Sequence, residues 1–144
     1  MSKCRSEKFL NRKTIFDNLT YNNGTLWPMD VDMIYDGDHK VWIIGEIKHE
    51  KNTQISRGAW ICLNRLFDDL DSIPDRAVYM YHARMKEEDY PDLAKGIVMQ
   101  YRDKTPNNSG ENWEYCWKKD EKRTVREFMD DYVYLHNSYL KPYK

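Results

Sequence analysis

The sequence has no apolar run approaching the ~20 residues that a membrane-crossing helix requires, and it holds three cysteines, Cys4, Cys62 and Cys116. The first lack excludes a helical span and implies a soluble chain. The cysteines are odd in number and lie more than 50 residues apart, which fits neither a disulfide framework nor a zinc-ligand spacing. Ordinary thiols are expected. Absent too are a Gly-rich phosphate loop, a nucleophile elbow and a Cys-x-x-Cys pair, which argues against nucleotide hydrolases, serine hydrolases and zinc modules. The opening MSKCRSEKF carries charges but lacks the apolar stretch of a secretory signal, so a cytoplasmic location is expected. Nor is one sign of charge in excess. With 23 Lys plus Arg against 24 Asp plus Glu, the formal net charge is -1, so any grip on nucleic acid must be local.

What is present suffices for one core. At 144 residues, 40% hydrophobic and 14% aromatic, the chain reads as one compact domain over 1–144. Two basic stretches stand out: Lys3, Arg5, Lys8, Arg12 and Lys13, then Lys118, Lys119, Lys122, Arg123 and Arg126. Runs of this kind are more often solvated helix faces than nucleic-acid grips.

Phe9, Phe16 and Leu19 suggest a first helix over 3–20. An alternating, β-rich segment, Leu26 to Tyr35, then leads through a turn at Asp36-Gly37-Asp38-His39 into an apolar strand, Lys40 to Lys48. Asn52 or Thr53 is expected to cap a helix whose buried face is Ile55, Ala59, Cys62, Leu63, Leu66 and Leu70, ending by Pro74. Strands are expected at Ala77 to His82 and Ile97 to Arg102, with a polar helical turn containing Glu87, Glu88 and Asp89 between them. Lys104 to Asn112 is the clearest loop, Trp113 to Trp117 reads as a short aromatic strand, and Val125, Phe128, Met129, Tyr132, His136 and Tyr139 mark a closing amphipathic helix. The order α-β-β-α-β-β-β-α implies an α/β domain with a mixed central sheet flanked by helices.

Chemistry concentrates in Met29-Asp30-Val31-Asp32 and in Gly45-Glu46-Ile47-Lys48. Side chains two apart on a strand share a face, so Asp30 projects with Asp32, and Glu46 with Lys48. Carboxylates crowded on one patch repel one another unless a cation neutralises them. An all-oxygen set, supplemented by a backbone carbonyl such as that of Ile47 and by water, suits Mg²⁺ or Mn²⁺ rather than zinc. A lysine beside such an ion can orient a water and stabilise charge growing on a phosphate. Phosphodiester hydrolysis fits these parts.

With these residues the sequence resembles the PD-(D/E)XK (restriction-endonuclease-like) nucleases, whose signature is an aspartate on one strand and Glu-x-Lys on the next. The second half is Glu46-Ile47-Lys48. The first half departs from Pro-Asp, since Trp27-Pro28-Met29-Asp30-Val31-Asp32 offers two aspartates, of which Asp32 is the one followed directly by β-type residues. The resemblance covers about twenty residues in the motif and roughly ninety in the wider helix and strand order. It implies a restriction-endonuclease-like fold, Mg²⁺ or Mn²⁺, and hydrolysis of nucleic acid, DNA before RNA. On that reading Asp32 and Glu46 hold the ion with Asp30 assisting, and Lys48 orients the attacking water. From the flanking helices the resemblance also implies Glu7 as a further carboxylate and Gln54 or Arg57 as accessory groups.

The residues leave a second reading open: a catalytically inactive, nuclease-like binding module that inhibits or recruits a nucleic-acid enzyme, which the balanced charge favours. Cutting both strands of a duplex would call for a homodimer or a protein partner. His49 and His82 could contact phosphate, although half-exposed strand ends are the commoner case. Trp113, Tyr115 and Trp117 could stack bases or face the core, with the core more common.

Overall fold

A computed structural model describes residues 31–88, 91–103 and 112–138. The expected first helix, Glu7, Asp30 and the 104–111 loop lie outside the described residues. Strands β1 (Met33–Gly37), β2 (Val41–His49), β3 (Ala77–Met85), β4 (Ile97–Arg102) and β5 (Trp117–Lys119) form one sheet in that spatial order. Helices α1 (Arg57–Asp71) and α2 (Val125–His136) cover its two faces. The neighbours β2 and β3 run parallel because α1 carries the chain back between them, and the other pairings are antiparallel. This is a mixed α/β architecture, and no helix among the described residues is long and apolar enough to cross a membrane.

The hairpin between β1 and β2 closes with Lys40 N–H donating to the Gly37 carbonyl. Asp38 and His39 both take positive φ, the geometry that suits the twist of a tight hairpin. Strand β2 then sorts its side chains by parity. Val41 and Ile43 join Tyr79, Tyr81, Val98, Phe128 and Val133 under α2, whereas Ile44 joins Val78, Met80, Leu63 and Phe67 under α1. Buried on both faces, β2 reads as an almost unbroken apolar run until Glu46.

Several boundaries differ from expectation. Neither Asn52 nor Thr53 caps α1: the Ser56 side chain accepts from Ala59 N–H, since the chain first forms a small bridge between His49 and Asn52. The buried stripe of α1 is Leu63, Asn64 and Phe67, with Cys62 exposed. Asn64 is drawn inward because its side-chain oxygen accepts from the wholly buried Arg102 guanidinium at 2.9 Å and from Trp117 Nε1 at 3.1 Å. Arg102 also pairs with Asp68, whose other oxygen accepts from Trp113 Nε1 at 3.0 Å. That bond accompanies a 3₁₀ turn over Trp113–Cys116 in place of a strand, and β5 begins only at Trp117. No helical turn forms at Glu87 and Glu88; a 3₁₀ turn over Leu93–Lys95 precedes β4 instead.

Candidate functional site

The hairpin register aligns Met33 with Gly45, so Asp32, one residue before β1, lies beside Glu46. An oxygen of the Asp32 carboxylate accepts a hydrogen bond from the backbone N–H of Ile47 at 2.7 Å. This contact holds an otherwise exposed aspartate against the Glu46-Ile47-Lys48 segment from 15 residues away. Because Ile47 packs toward α2, its neighbours Glu46 and Lys48 project to the α1 face. Glu46 is buried, at 7% exposure, and the Lys48 ammonium approaches its Oε1 at 3.4 Å.

The parallel register continues this line across the sheet. Glu46 aligns with His82 on β3, His82 with Gln100 on β4, and Gln100 with Lys119 on β5. The Gln100 amide lies 3.1 Å from His82 Nδ1. With that amide donating, the neutral imidazole carries its proton on Nε2. Burial pushes the His82 pKa below its ordinary 6.5; the Thr53 backbone opposes this and the Lys48 charge adds to it. His82 is therefore an uncharged buried group at neutral pH, not the half-exposed strand end expected, because β3 runs on to Met85.

Beside this row opens a cleft of about 460 Å³ lined by Thr53, Gln54, Ile55, Trp60, His82, Met99, Gln100, Lys119 and Glu121. Adjacent strand residues normally face opposite ways, yet Met99 and Gln100 both line it. The register shift between His82 and Ala83, which pair with Gln100 and Val98, leaves Met99 as the extra residue of a β-bulge and accounts for the exception.

The remaining candidates divide. Gln54 sits at the cleft, whereas Arg57 starts α1 exposed and does not line it. His49 is exposed at the end of β2. Trp113 is buried and Trp117 half-buried, so these two serve the core, while Tyr115 is 84% exposed. In the second basic stretch Lys118 pairs with Asp103, Arg123 with Asp120 and Asp131, and Arg126 with Asp130. Sequence reading missed Thr53, Trp60, Met99 and Gln100 and undervalued His82. His82, Met99 and Gln100 are brought there by register between distant strands, and Thr53 and Trp60 by the packing of α1 and its leading loop on the sheet, which no local pattern carries.

The donors on the hairpin are all oxygen, from Asp32, Glu46 and the Ile47 carbonyl. That chemistry suits Mg²⁺, which takes one or two carboxylates and keeps several waters. Among the described residues no three His, Cys, Asp or Glu side chains group closely enough to form a metal site by themselves. Comparison with family models, curated proteins and solved structures finds no match.

Proposed function

We propose that the chain is a metal-dependent nuclease, with a restriction-endonuclease-like arrangement of sheet and helices, that hydrolyses nucleic-acid phosphodiester bonds, DNA before RNA. The observation that carries this reading is the Asp32 hydrogen bond to Ile47 N–H, which draws an aspartate onto a strand bearing a buried glutamate and its lysine. Asp32 and Glu46 would hold Mg²⁺ or Mn²⁺, with the Ile47 carbonyl, Asp30 and Glu7 as further oxygen donors. Bound there, the ion would supply Lewis-acid stabilisation and acidify the attacking water. Lys48, whose ammonium lies at Glu46, would orient that water and offset charge growing on the phosphate oxygens. Gln54, on the cleft wall, positions the substrate strand through its amide.

The test separates binding from chemistry. Lys48→Ala retains Mn²⁺ binding by calorimetry and loses most cleavage of plasmid and oligonucleotide substrates; Glu46→Ala loses both. Circular dichroism of Lys48→Ala checks that the fold survives, because the variant takes the lysine from a buried carboxylate. The second reading, a nuclease-like binding module that blocks or recruits a nucleic-acid enzyme, is favoured by the pairing of Lys118, Arg123 and Arg126 with aspartates. A wild-type protein that neither cleaves DNA or RNA nor binds Mn²⁺ would overturn the enzyme reading, and the binding module would take its place.

A further inference from the structure

The proposed site adjoins a cleft whose walls do not suit an anion. Its sides are the apolar or aromatic Ile55, Trp60 and Met99, its polar groups are chiefly the amides of Gln54 and Gln100 and the His82 ring, and Lys119 shares the rim with Glu121. We infer that this cleft receives one unpaired nucleobase of the substrate strand, so that the chain acts on single-stranded or locally unpaired nucleic acid rather than on intact duplex. The inference deepens the nuclease reading and rests on it for the position of the scissile phosphate.

Three features support a base as occupant. Trp60 is held by Trp117, with ring centroids 4.9 Å apart at an interplanar angle of 31°, so it stands as a braced aromatic wall, and base stacking on such walls is tolerant of sequence. Amides and imidazole present donors and acceptors together, as the edge of a base does. His82 lines the cleft at 6% exposure with its Nδ1 held 3.1 Å from the Gln100 amide, so ring and amide form one fixed polar edge. The bulge at Met99 reinforces this, because it turns an apolar side chain into a cleft that a regular strand would line with Gln100 alone. The row from Glu46 to His82 to Gln100 links the cleft to the hairpin, so that a base in the cleft would direct its own backbone toward Glu46 and Lys48. A base stacked inside a duplex cannot enter without being extruded.

The test uses the intact protein, without divalent metal, and fluorescence anisotropy of three labelled DNAs of equal length: a mixed-sequence single strand, a base-free deoxyribose-phosphate strand, and a blunt duplex. The base-bearing strand should bind about tenfold tighter than either of the others, the scale of one base stacked on an aromatic ring. Trp60→Ala and Gln100→Ala should each remove most of that preference while circular dichroism stays unchanged. Equal affinity for base-bearing and base-free strands overturns the inference, whatever the variants do. Binding that prefers bases but is followed by no cleavage in Mg²⁺ or Mn²⁺ keeps the cleft and removes the hydrolytic reading; cleavage without that preference does the reverse.

Discussion

Removing the Asp68 carboxylate should cost the fold more than any exposed ion pair could. Arg102 is the largest fully buried side chain, with its guanidinium 4.1 Å from the centre of the Phe67 ring and its N–H groups shared between Asn64 and Asp68. Breaking a buried pair from one side leaves a charge without its partner, a loss of about 3–5 kcal/mol. Asp68 keeps 32% side-chain exposure, so water reaches one end of the pair, and Asn64 still accepts from Arg102. Both considerations favour the lower end. Asp68→Ala also strips the acceptor from Trp113 Nε1–H, a buried donor worth about 1 kcal/mol more. The expected total is about 3–4 kcal/mol, or a fall of roughly 10 °C in Tm for a chain of this size. Urea and thermal unfolding followed by circular dichroism read both quantities. Arg102→Met, which keeps an apolar stem over Phe67 and removes the charge, should cost less, and the double variant should show coupling above ~1 kcal/mol. A loss below ~1 kcal/mol for Asp68→Ala, or a greater loss for Arg102→Met, would refute the reasoning. The consequence reaches the cleft, because the same network holds Trp117, which braces Trp60.

Two further outcomes follow from individual residues. A Cβ at Gly45 would run into the Tyr81 ring, so Gly45→Ala should cost about 1–3 kcal/mol in urea unfolding and, through its neighbour Glu46, lower Mn²⁺ affinity; an unchanged midpoint would contradict it. His82 and His136 both have pKa values lowered below 6.5, chiefly by burial. Above pH 6.5 that costs nothing, and as pH falls below 6.5 the unfolded chain takes up protons that the folded chain refuses, so stability drops until the folded values are reached. His82→Gln should flatten part of this decline and leave the share due to His136, and identical slopes in wild type and variant would exclude a role for His82.

The elements that local pattern could reveal were those whose burial is two-sided or helical. Strand β4 was expected at Ile97 to Arg102 and forms there, and β2 shifted by only a single residue, the latter because apolar residues packed from both faces leave a continuous run. Trp113 to Trp117 failed for the opposite reason: its alternation of large and polar residues mimics a strand, while in the fold it forms a 3₁₀ turn whose Trp113 bonds to an aspartate 45 residues away. The same distance limit governs the site. Asp32, Glu46 and Lys48 are legible because a hairpin fixes their register locally. His82 faces Glu46 only because α1 returns the chain parallel to β2 in one particular register, and a slip of one residue would turn the imidazole to the α2 side of the sheet. Gln100 depends on a second such register, and Met99 on a bulge within it. A local motif could therefore point to carboxylate chemistry on one hairpin, whereas the cleft that would choose the substrate is a property of three strands, α1 and the loop before it brought together at once.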